Sequence, residues 1–65
     1  MTRYPMIRVK LVGEDGNAFF VLGKVTKALR KAGVSEAERD EFITEATAGD
    51  YNHLLATVQE WVVVF

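Results

Sequence analysis

The chain has 65 residues, of which 49% are hydrophobic and 26% charged, with no cysteine and a formal net charge of -1. That length holds one domain, and the composition is that of a folded chain rather than a disordered one. Disulfides and thiolate metal sites are excluded, and no apolar run approaches the ~20 residues that span a bilayer, so a cytoplasmic protein with no membrane partner is expected.

Residues 1–5 read as a loose lead-in that ends at Pro5, followed by one globular domain over residues 6–65. From Met6 to Val12 the pattern alternates, with Ile7, Val9 and Leu11 on one side and Arg8 and Lys10 on the other. This is the period-two signature of a strand with one buried face. The Gly13-Glu14-Asp15-Gly16 run breaks it with turn residues.

Asn17 is a good N-cap for a helix over residues 18–32, in which Val21, Leu22, Val25, Ala28, Leu29 and Ala32 form one apolar stripe. Gly33 occupies the position where a helix end favours a left-handed residue. Ser35 and Glu38 form a capping box that starts a second helix. Phe42, Ile43 and Ala46 are its narrow apolar stripe, and Gly49 is expected to close it. Asp50 caps a third helix carrying Tyr51, Leu54, Leu55, Val58 and Trp61 at helical spacing. The run Trp61-Val62-Val63-Val64-Phe65 favours strand, although the third helix can extend into its first residues. The order is β-α-α-α-β, an α+β fold with three helices on a two-stranded sheet made by the terminal strands. Parallel and antiparallel pairing both remain open.

The stretch from Val9 to Phe19, V-K-L-V-G-E-D-G-N-A-F, resembles a family of short bacterial and phage proteins, as do the later segments K-A-L-R-K-A-G and E-A-T-A-G-D-Y. The resemblance spans residues 6–65 and implies a stand-alone protein, but that family has no assigned activity and transfers no site residues. The helical trio is also similar in packing to ubiquitin-associated modules, with Gly33-Val34 before one capped helix and Ala-Gly-Asp before the next. Here, however, the first helix is longer and strands flank the trio.

Functional signals are sparse. The Gly13-x-x-Gly16 loop has the position of a phosphate cradle, but Glu14 and Asp15 would repel a phosphate and no Walker lysine follows. A turn-plus-cap role is expected there. His53 is expected on the solvent side of the third helix, with no visible nucleophile to serve. Glu14, Asp15 and His53 are the only scattered catalytic candidates, so neither an enzyme nor a cofactor or metal is expected.

Charge is unevenly distributed. Residues 1–34 carry seven Lys or Arg against two acids, and residues 35–65 carry one against seven. Such a split favours attraction between subunits or toward a charged partner.

Two anomalies remain. Phe19 and Phe20 fall among Lys24, Lys27, Arg30 and Lys31, away from the apolar stripe. The simpler expectation is that both rings are core. The alternative is an exposed patch, shared with Arg8 and Lys10, that binds a partner or stacks on nucleic-acid bases. Second, the run Trp61, Val62, Val63, Val64 and Phe65 is apolar on both faces and needs cover. The expectation is therefore a non-catalytic interaction module that self-associates as a homodimer through this strand. A protein partner or, as the second reading, nucleic acid engages the first helix.

Overall fold

The computed structural model describes residues 2–14 and 16–65. Its elements run β1 (Tyr4–Val9), α1 (Ala18–Lys31), α2 (Glu36–Ala46), α3 (Tyr51–Trp61) and β2 (Val62–Val64). The two strands pair in parallel as a two-stranded sheet, giving the α+β arrangement the sequence indicated. Parallel neighbours need a crossover rather than a hairpin, and the three helices are that crossover.

Each helix starts where its capping chemistry places it. The Asn17 side chain accepts from the Phe19 N–H at 2.8 Å, Ser35 from the Glu38 N–H at 3.2 Å, and Asp50 from the His53 N–H at 2.9 Å. Each bond satisfies a donor that the first helical turn cannot. Gly33, at φ +90°, turns the chain out of α1.

The end of α2 departs from expectation. Gly49 does not take up a left-handed conformation. The helix stops at Ala46, and the Thr47 hydroxyl donates to the Ile43 carbonyl at 2.7 Å. Gly49 has a different constraint: a Cβ there would meet the Cβ of His53 at 2.9 Å. Its small size admits the first turn of α3.

The core lies where α1, α2 and α3 meet the inner face of the sheet. Val25, Leu29, Phe42, Val58, Trp61 and Val62 are its largest fully buried side chains. Trp61 anchors it. Its ring meets Phe42 edge-on at 5.5 Å and Tyr4 at 6.1 Å between centroids, geometries that favour the ring quadrupoles. The Arg3 guanidinium lies 3.9 Å from the Trp61 ring centroid, and Arg3 also pairs with Glu41 at 3.7 Å. The Tyr4 hydroxyl donates to Glu38. One tryptophan thus gathers both strands' ends and α2.

Those contacts explain two shifts from the expected boundaries. The strand begins at Tyr4 rather than Met6, because Tyr4 pairs with Val62 and packs on Trp61. What read as a lead-in is tied down: the Arg3 N–H donates to the Glu60 carbonyl at 2.7 Å and the Thr2 hydroxyl to that of Gln59 at 3.2 Å. The register breaks between Tyr4 and Arg8, around Pro5, which has no N–H to give to a ladder. Trp61 belongs to α3, and the strand starts one residue later.

Candidate interaction surface

The candidate surface is built on α1. Positions 19, 23, 26, 27 and 30 recur at helical spacing, so Phe19, Gly23, Thr26, Lys27 and Arg30 share one face. Val21, Val25 and Leu29 occupy the buried face. The expectation that Phe19 and Phe20 are core does not hold: Phe19 is 85% exposed and Phe20 39%. The reason is geometric. With Val21, Val25 and Leu29 turned inward, residues 19 and 20 fall outside the buried stripe of α1. The alternative, an exposed aromatic patch, is what the structure presents.

Beside Phe19 runs a groove of about 550 Å³ between α1 and α2. Leu22, Gly23 and Arg30 line it from α1, and Arg39 and Ile43 from α2. A smaller hollow of about 250 Å³ continues from it past Phe19 and Leu22 to Tyr51 and Leu54 of α3. Leu22, which packs partly buried against the core as its stripe position predicted, and Ile43, expected on the apolar stripe of α2 but 38% exposed, give this groove an aliphatic lining. Among the described residues, no carboxylate lines the larger groove.

Ion pairing sorts the cations. Lys24 is committed: its Nζ lies 2.8 Å from Glu14 Oε1 and 5.7 Å from the centroid of the Phe20 ring. The hydrogen bond and charge of Lys24 hold the Glu14 carboxyl below the usual carboxylate range. Lys27, Arg30 and Lys31 form no ion pair among the described residues. Arg39 forms none either, and its Nε is buried without an acceptor. Sequence reasoning missed Arg39, because its own helix is otherwise acidic and only the packing of α2 on α1 brings it to the groove. Arg8 and Lys10 lie apart, exposed on β1 and on the segment after it. The Arg8 guanidinium sits over Phe65 at 4.8 Å. The eight residues expected to form one basic and aromatic face therefore divide between α1 and the sheet.

The C-terminal residues also divide. Trp61 and Val62 are each 1% exposed, so the core of a single chain already covers them. Val63 and Val64 are half-buried, and Phe65 is 46% exposed. Phe65 directs both backbone groups toward β1: its N–H donates to Val9 at 3.1 Å, and its carbonyl accepts from Leu11 at 2.7 Å and Val12 at 3.0 Å. Successive residues of a strand turn their backbone groups to opposite edges, so Val64 offers its N–H and C=O to the open edge of β2.

Of the scattered catalytic candidates, Glu14 and His53 are held by separate partners. Glu14 is tied to Lys24, and Asp15 lies outside the described residues. His53 Nε2 is 2.8 Å from the Glu45 carbonyl; since a carbonyl only accepts, that nitrogen is the donor. His53 thus joins α3 to the end of α2. Among the described residues, no group of three or more His, Asp or Glu is placed to hold a metal ion, and no helix is long and apolar enough to cross a membrane. No family model, curated protein or solved structure matches the chain.

Proposed function

We propose that this chain is a non-catalytic interaction module that docks a partner on the outer face of α1. The exposure of Phe19 carries this reading. A ring held 85% in water on a capped helix, at the mouth of an apolar groove, gains little from folding and much from a partner. Aromatic anchors with nearby arginines are what dominate binding energy at protein interfaces. The test is photo-crosslinking in the cells of origin, with a benzophenone side chain replacing Phe19 and a control at Asn52 on α3. Discrete adducts from position 19 and none from position 52 are expected. The same adducts from both positions, or none from position 19, would remove this reading. Digestion of the adduct by protease or by nuclease assigns the partner's class.

Self-association through the C-terminal strand is a second reading, favoured by the open edge at Val64 and by half-buried Val63 and exposed Phe65. Burial of Trp61 and Val62 within one chain narrows that interface to residues 63–65. Unpaired strand edges template pairing with another chain, and two copies joined this way would form one four-stranded sheet. Sedimentation equilibrium at high micromolar concentration decides it: a dimer mass supports pairing, and a monomer mass ends it.

A further inference from the structure

No contact or backbone conformation among the described residues requires a glycine at position 23. It lies inside α1, where glycine costs about 1 kcal/mol relative to alanine. A Cβ there would meet nothing within 4 Å, and no left-handed backbone requires the residue. Nor does the turn chemistry of the chain reach it. What Gly23 does is lower the wall of the groove between Phe19 and Lys27, on the face where α1 is unpartnered. A glycine at such a point lets another backbone come close, as small residues do where helices cross tightly.

The charges around the groove select the visitor. Its ionic rim is cationic, made by Lys27, Arg30 and Arg39, and among the described residues its lining includes no acid. Among the described residues Arg39 has no ion pair, and its Nε has no acceptor. A second copy using the same face would bring these cations against each other, since a two-fold interface sets identical patches together. The acidic side of α2 is no better as the visitor, because Ala37, Asp40, Glu41 and Thr44 present no large apolar side chain to fill the groove. Nucleic acid would also use the cations, but it would need its bases to stack. An aliphatic trough lined by Leu22 and Ile43 suits a side chain better than a stacked base.

We infer that the α1–α2 groove binds an acidic amphipathic helix of a partner protein, packed across Gly23 with an apolar anchor beside Phe19 and carboxylates facing Lys27, Arg30 and Arg39. The mode is a helix in a groove, with anchors at i, i+3, i+4 and i+7. This rests on α1 being the docking face and adds the chemistry of the occupant.

The test uses fluorescence anisotropy with a labelled synthetic helix carrying Leu and Phe at those spacings and Glu elsewhere. Its companions are the same peptide with Lys in place of Glu and a labelled single-stranded DNA. The acidic peptide is expected to bind, and the Lys peptide is not. Phe19→Ala, a change at an exposed site that leaves the core alone, weakens the acidic peptide by about tenfold or more. Gly23→Ala is the sharper probe: it raises the thermal midpoint of the free protein while weakening the peptide, a divergence that a purely structural glycine would not produce. Equal binding of the acidic and Lys peptides, acidic-peptide binding indifferent to Phe19→Ala, a Gly23→Ala protein that binds as well as the parent, or no binding of the acidic peptide overturns the inference. Binding of the DNA alone assigns the face to nucleic acid. If crosslinks still form from position 19 while the acidic peptide fails, the docking face stands and only its occupant is wrong.

Discussion

Glu14 and Lys24 show how a single side chain changes the meaning of its neighbours. In the sequence, Glu14 reads as a turn residue and Lys24 as one more cation on a basic helix. In the fold, the turn brings them to 2.8 Å, which lowers the Glu14 pKa and removes Lys24 from the cations a partner can use. A carboxyl with a depressed folded pKa stabilises the fold fully above the unfolded value and loses that contribution as pH falls through the folded one. An NMR titration of Glu14 is therefore expected to place its midpoint below the usual carboxylate range in the parent, and Lys24→Gln is expected to return it toward that range. An unchanged midpoint in the Lys24→Gln protein would show that the pair does not persist in solution. At the same scale, Trp61 was the residue hardest to place from sequence. Two patterns overlap on it, the helical stripe Leu54-Val58-Trp61 and the apolar run that becomes β2. Only contact with Tyr4 and Phe42 decides between them.

At the scale of elements, the starts of all three helices were legible because capping is local chemistry. Asn17, Ser35 and Asp50 satisfy nearby donors whatever the rest of the chain does. Burial is not local. Nothing within residues 18–31 tells whether the first turn of α1 is covered, so Phe19 and Phe20 could not be placed until the helix was docked by Val21, Val25 and Leu29. The end of α2 was misread for a similar reason: Gly49 looked like the stop signal that Gly33 is, but its constraint is the approach of His53. The cap at Asn17 also positions the candidate surface, since it orders the turn that carries both phenylalanines. Asn17→Ala is expected to cost about 1 kcal/mol and to increase hydrogen exchange at the start of α1 before the rest of the helix. Chemical denaturation and amide exchange measure the two effects. Exchange that rises evenly along α1 would mean that the helix opens as one unit and that the cap does not act on its first turn.

For the whole molecule, the decisive feature is that the two ends of the described fold pair with each other. The sequence implied that the terminal strands would meet but left their direction open, because the alternation within a strand carries no information about which way its neighbour runs. Parallel pairing makes β2 indispensable. Val62 is part of the core, Val63 and Phe65 complete the ladder of β1, and a domain this small has roughly 3–10 kcal/mol of stability in total. A chain ending at Trp61 is expected to show no cooperative thermal transition by circular dichroism. A truncated chain that still melts sharply would show that the helices hold together without the sheet.

Parallel closure also orders events during synthesis. A ribosome makes β1 first and β2 some fifty residues later, so the emerging polypeptide carries an unmatched strand and a half-built apolar interior until β2 is translated. The nascent chain has no intermediate length at which the sheet can close. Folding must therefore wait for β2 to leave the exit tunnel, and until then the exposed edge of β1 is open to whatever chaperone or neighbouring chain reaches it first.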